Sequence, residues 1–166
     1  ISREAILVLG EVADRLQDSF QVLAFASHTR NHCRVWNLKD WKEPWVKGRS
    51  RLGNLRPQGY TRMGPALRHA THLLQQQPAD RRLLLLISDG KPTDFDRYEG
   101  SYGVADIRQA LREAEASQMR VHALAVDPIA RDYLPRMLGP GGFDILLDPQ
   151  LLPEVLTRVY GRLVGR

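Results

Sequence analysis

Residues 83–94 read LLLLISDGKPTD, and the fold turns on how that stretch is interpreted. Five consecutive apolar residues, Leu83 to Ile87, leave no polar face, which is the pattern of a strand buried on both sides in a parallel sheet. The run stops abruptly at Ser88, Asp89 and Gly90, so a buried strand delivers Asp89 to solvent and Gly90 permits a sharp turn. In such sheets ligands bind beyond the carboxyl ends of the strands. Asp89 lies at such an end.

Working outward, helix and strand patterns alternate. Upstream, Ala66, Leu67, Ala70, Leu73 and Leu74 make the apolar stripe of a helix that begins at Gly64 and Pro65 and stops before Pro78. Earlier still, Ala5, Leu9, Val12 and Leu16 predict a helix over residues 3–16, followed by a strand over Phe20 to Ala26. Arg34 to Leu38 is a weaker strand candidate, and the region holding Trp41, Pro44, Trp45 and Gly48 reads as a long loop leading to Thr61. Downstream come a helix from Val104 to Ala116, a strand from Val121 to Val126, a short helix from Ala130 to Leu138 and a short strand from Phe143 to Leu147. Asp148 and Pro149 then cap a closing helix with Leu152, Val155, Leu156, Val159 and Leu163 on its apolar side. This alternation predicts one α/β domain over residues 1–166, Rossmann-like, with a mostly parallel central sheet and helices on both faces.

The bulk numbers set limits on function. A content of 43% hydrophobic and 26% charged residues is that of an ordinary globular domain. No apolar run approaches the length of a membrane span and no secretory leader is visible, so no membrane insertion and a cytoplasmic setting are expected. The single cysteine, Cys33, excludes an internal disulfide and a thiolate metal site. Net charge is +5, but residues 30–68 hold ten Lys or Arg against only Asp40 and Glu43. Most of the chain's basic residues are Arg, which suits carboxylates on a protein partner. Without a nucleic-acid-binding motif, nucleic acid is not the expected partner.

Two residues stand out as donors for a hard cation. Asp89 offers a carboxylate at a strand end, and Thr61, in GYTRMGPALRHA, offers a hydroxyl at a loop-to-helix junction. Magnesium wants about six oxygen ligands, several of them water. Taken alone, Thr61 also reads as a helix cap and Asp89 as a turn carboxylate. Beyond Asp89, the mixture of Lys91, Asp94, Asp96, Arg97, Tyr98 and Glu99 suits either a docking surface, with Lys91, Asp94 and Tyr98 as partner-binding residues, or a solvated loop.

Enzyme readings find less support. Asp94 and Asp96 form an Asp-x-Asp pair like that of a phosphohydrolase, but several residues beyond their strand. No Gly-x-x-x-x-Gly-Lys-Ser/Thr accompanies the strand ending in Asp89. His69 and His72 read as helix-surface histidines, His28 and His32 as flanking a strand turn, and His122 as a packed histidine. Cys33 is expected to be small and semi-buried, and Trp36, Trp41 and Trp45 to be core under a loop or anchors for a partner. No full set of nucleophile, base and oxyanion donors emerges, so the chain is expected not to be an enzyme.

These segments together resemble the von Willebrand factor A family, in which a metal-ion-dependent adhesion site (MIDAS) joins three loops. Thr61 matches the Thr of the second loop and Asp89 the Asp of the third. The first loop, Asp-x-Ser-x-Ser at the end of the first strand, does not occur here. The resemblance implies that this central strand and its loop lie upstream of Ile1. It also implies a divalent cation, Mg2+, one of whose positions is filled by an acidic side chain of a partner. NHCRVWNLKDWKEPW, PQGYTRMGPALRHAT, ISDGKPTDFDRYEGSYGVADIRQALREAE and LPEVLTRVYGRL further resemble nitric oxide reductase activation proteins of the NorD type, more closely than the CbbO-type Rubisco activation adaptors. That implies a protein-binding adaptor, with a NorQ-like, MoxR-class AAA+ ATPase as partner and nitric oxide reductase as client.

Overall fold

The computed structural model describes residues 2–164. Its order is α1 (Ser2–Arg15), β1 (Val22–Ser27), β2 (Cys33–Lys39), α2 (Trp45–Asn54), α3 (Met63–Gln75), β3 (Arg82–Ser88), α4 (Gly100–Ala116), β4 (Met119–Ala125), α5 (Ala130–Leu138), β5 (Phe143–Ile145) and α6 (Leu152–Val164). A 3-10 turn at Pro149–Leu151 leads into α6, and Asp148 caps it by accepting the Gln150 N–H at 2.9 Å. The side chain of Leu163, last in the predicted stripe, lies outside the described residues.

The apolar run of β3 explains the layers. Leu84 and Leu86 face a cluster built from Met63 and Leu67 of α3, Ile107 and Leu111 of α4, and Leu134 and Met137 of α5. Leu85 and Ile87 face the other way, onto Ala5 and Leu9 of α1 and Val155, Leu156 and Val159 of α6. Full burial of a leucine contributes about 1.5–3 kcal/mol, which accounts for the apolar run at the centre of this strand. β4 runs parallel to β3, from Arg82 opposite Met119 to Ser88 opposite Ala125. β5 adds on the far side of β4, also parallel.

The strands form two ladders rather than one continuous sheet. β3, β4 and β5 make one, and β1 and β2 pair antiparallel in the other, from Val22 opposite Lys39 to Ser27 opposite Cys33. Among the described residues β1 and β3 each have a strand neighbour on one side only. Helices span both ladders. α1 turns Ile6 and Leu7 onto the β1–β2 pair while Ala5 and Leu9 lie on the β3 side, and Phe25 of β1 packs against the cluster that holds Leu84 and Leu86.

Two sequence expectations change. The long loop expected around Trp41–Gly48 is instead largely the helix α2, anchored by the buried residues Trp45, Gly48 and Leu52. The Trp45 ring lies against Gly10 of α1, where a Cβ would overlap it, and its Nε1–H donates to Glu11 at 3.1 Å. Cys33 is exposed rather than semi-buried, because it opens the edge strand β2 beside the hairpin tip. His122 is packed as expected, buried, with Nε2 3.1 Å from Asp144.

Candidate functional site

The carboxyl ends of the strands gather the residues singled out above. β3 ends at Ser88, and the turn beyond it is held by that serine, whose hydroxyl donates to Gly90 O at 3.0 Å and accepts the Gly90 N–H at 3.3 Å. Gly90 lies in this bend as expected, without a left-handed φ. Asp89 is exposed. Val126 N–H donates to Ser88 O at 3.0 Å, so the β4 exit lies alongside, and Asp127 there accepts the Ile129 N–H at 3.0 Å just ahead of α5.

Thr61 is carried to the same rim by backbone pairing. Tyr60 exchanges two hydrogen bonds with Ser27 at the end of β1, at 3.0 and 2.8 Å, and Thr61 exchanges two with Thr93, at 3.0 and 3.3 Å. Residues 60 and 61 therefore bridge from the β1–β2 ladder to the loop that follows β3. Gly59 makes this approach possible: its φ is +67° and a Cβ there would meet Ser27 O at 2.7 Å. Thr61 is not a helix cap, since α3 starts at Met63 behind Arg62 with no side-chain cap. Neither the Thr61 hydroxyl nor the Asp89 carboxylate makes a side-chain hydrogen bond among the described residues. Asp89 acts on Tyr133 of α5, whose phenol is pushed up to about 12 by burial and by the nearby Asp127 and Asp89 charges.

The remainder of the loop is used differently. Asp94 is buried, and its carboxylate accepts the Thr29 N–H at 2.8 Å, the Phe95 N–H at 2.7 Å and Arg62 Nε–H at 2.8 Å. Burial pushes its pKa up, but the two backbone donors and Arg62 outweigh that and hold it at about 2. Arg62, 3% exposed, also pairs with Asp96 and lies over the Tyr98 ring, 4.1 Å from its centroid. Tyr98 is fully buried; its hydroxyl donates to Asp106 at 2.5 Å and accepts the Gly64 N–H at 3.1 Å. Of the three residues expected on a docking loop, Lys91 is exposed, whereas Asp94 and Tyr98 lie inside and cannot meet a partner in this conformation. The reason is Arg62, whose buried charge needs both aspartates. The same engagement removes Asp94 and Asp96 as a nucleophile and acid pair. Arg62 itself was missed; the only sequence signal for it is a cation beside Thr61 answering the Asp-x-Asp spacing.

As a cation site the present donors are incomplete. Thr61 and Asp89 are hard oxygen donors of the right kind, but two fall short of about six. Among the described residues no group of three or more His, Cys, Asp or Glu could hold a metal. No helix of the described residues is long and apolar enough to cross a membrane.

A family model of the von Willebrand factor type A domain matches residues 4–145. An uncharacterized protein of Pseudomonas aeruginosa is 44% identical over 161 residues, which cover 96% of this chain and 26% of that protein. Protein NorD of Brucella melitensis is 40% identical over 168 residues, covering 99% of the chain and 26% of NorD. Protein NorD of Stutzerimonas stutzeri is 41% identical over 148 residues, covering 89% and 24%. The chain thus spans about a quarter of the length of these curated relatives. Among solved structures, proximal thread matrix protein 1 from the mussel byssus superposes with a TM-score of 0.64 at 14% identity, over 95% of this chain and 40% of that one, a likeness of fold.

Proposed function

Because the chain belongs to the von Willebrand factor type A family, we propose that it is the partner-binding module of a NorD-type adaptor. It works in the cytoplasm with a MoxR-class AAA+ ATPase to activate nitric oxide reductase, and it is not itself an enzyme. The observation that carries this reading is the rim shared by Thr61 and Asp89. A backbone bridge brings the threonine to the loop of the aspartate, and among the described residues neither side chain makes an internal hydrogen bond. Similarity to two NorD proteins over nearly the whole chain supports the family branch.

The same reading assigns a further strand, ending in Asp-x-Ser-x-Ser, to the space between β1 and β3. Support comes from the two ladders: among the described residues β1 and β3 are each paired on one side only, while α1 packs on both ladders. Unpaired strand edges inside a layered domain are costly. Thr61 and Asp89 would then join that loop in holding Mg2+, which supplies a Lewis-acidic contact for a partner carboxylate. The test is Asp89→Ala in the full-length protein. Its affinity for the ATPase or the reductase should fall roughly tenfold or more, about 1.4 kcal/mol, with loss of reductase activation. Unchanged binding and activation would refute the reading.

A further inference from the structure

We propose that Phe95, His28 and Tyr60 form an aromatic ledge beside the Asp89 rim, which receives a protein segment carrying a large apolar side chain next to a carboxylate. This rests on the adaptor reading above and adds a recognition element to it.

Phe95 is 69% exposed, more than any other large apolar side chain among the described residues. A lone exposed apolar residue needs no explanation, but this one is held in place. Its ring stacks on His28, with centroids 5.6 Å apart and planes at 24°. His28 in turn lies 6.1 Å from Tyr60, which is itself 37% exposed.

The backbone on both sides of this stack is pinned. Asp94 accepts the N–H of Phe95 and that of Thr29, while Asp96 accepts the N–H of Arg30 at 3.0 Å and its Nε–H at 3.1 Å. Thr29 is held at φ +80°, a left-handed conformation that a β-branched residue rarely adopts and that persists where the surroundings enforce it. Two carboxylates, a buried arginine and a strained threonine therefore fix the hairpin tip and the loop together, and the ring they present points to solvent. Folding alone gives no reason to hold an exposed phenylalanine so firmly. A pre-positioned aromatic anchor loses little entropy on binding, which is how such residues come to dominate interfaces.

The chemistry of the occupant follows from the surroundings. Tyr60 adjoins Thr61, and Phe95 follows Asp89 in one loop, which the Thr61–Thr93 pairing joins to Thr61, so the ledge is carried by the same segments as the candidate rim. Arg30, with 67% of its side chain exposed, is held by Asp96, the residue after Phe95, and the exposed Arg97 lies two residues beyond Phe95; a guanidinium matches a carboxylate in both charge and shape. Aromatic rings with arginines also suit single-stranded nucleic acid. Here, however, the exposed Asp89 and Glu99 lie in the same loop, opposing a phosphate backbone while leaving room for one directed carboxylate.

The experiment uses the full-length protein with two probes, the MoxR-class ATPase and purified nitric oxide reductase, and compares Phe95→Ala, Phe95→Trp and Asp89→Ala by equilibrium binding. Phe95→Ala should weaken one of the two complexes roughly tenfold with an unchanged thermal midpoint, and Phe95→Trp should restore the affinity, which a folding defect would not allow. If Asp89→Ala weakens binding but Phe95→Ala does not, the ledge is discarded and the adaptor reading stands. If neither variant matters, the adaptor reading itself fails. Loss of single-stranded oligonucleotide binding in Phe95→Ala, with both protein complexes intact, also overturns the ledge.

Discussion

Asp89 and Asp94 stand in the same loop beyond β3, and the fold treats them in opposite ways. Asp94 is dehydrated completely and answered by two backbone N–H groups and Arg62, whereas Asp89 remains in water with no side-chain hydrogen bond among the described residues. The same division separates Tyr98, sealed between Asp106, Gly64 and Arg62, from Thr61, which is fixed only through its backbone. A polar group whose bonding capacity is filled internally works for the fold. One that is positioned yet left unfilled is available to something outside. The loop is therefore held from within at Asp94 and Tyr98 and open to solvent at Asp89.

The strongest way to break this contrast is Arg62→Ala in the full-length protein. It would leave Asp94 buried without its cation, and orphaning one partner of a buried pair costs about 3–5 kcal/mol. Urea unfolding should show a loss of that order in this domain. A loss below about 1 kcal/mol would mean that the Arg62–Asp94 pair behaves like a surface ion pair, and the structural role assigned to this half of the loop would be wrong.

Acid should dissolve the same network. The Asp94 carboxyl is depressed from an ordinary 3.8 to about 2 in the fold, so the unfolded chain takes up its proton first as pH falls. Its stabilising contribution is thus fully present above about pH 5 and is lost progressively as the pH drops through 3.8 toward 2, in total about 2 kcal/mol. Denaturant midpoints measured from pH 5 downward should show this slope, and Asp94→Asn should flatten it. A slope that persists in Asp94→Asn would assign the acid sensitivity to other carboxylates.

Which parts of this contrast could be read from the sequence depended on how local their causes are. The strands and most helices follow from apolar runs and 3.6-residue stripes, and the position of Asp89 follows from where β3 stops, whereas Thr61 is placed by non-local pairing with Thr93. α2 escaped because one of its three buried positions is Gly48, where Lys39 and Trp45 pack close in place of a side chain, so no apolar stripe is visible. Asp94 and Tyr98 looked exposed because charged and hydroxyl-bearing residues in a loop usually are. Their burial depends on Arg62, far away along the chain, and on Asp106 within α4. The division into two ladders is likewise a matter of which strands find neighbours, which composition does not encode.

The finest test of the contrast is a pair of changes that should barely register in folding. Thr61→Ala and Asp89→Ala remove side-chain atoms that form no hydrogen bond inside the described structure, so each should shift unfolding stability by no more than about 0.5 kcal/mol. For Thr61 the backbone bridge to Thr93 remains whatever the side chain, and Asp89 has no cation among the described residues to leave behind unpaired. Thermal midpoints within a degree or two of wild type, together with weakened partner binding, would separate positioning from use within one loop. If instead either change destabilises the domain as Arg62→Ala should, then Thr61 and Asp89 belong to the scaffold, and any loss of binding in those variants would say nothing about a receptive rim.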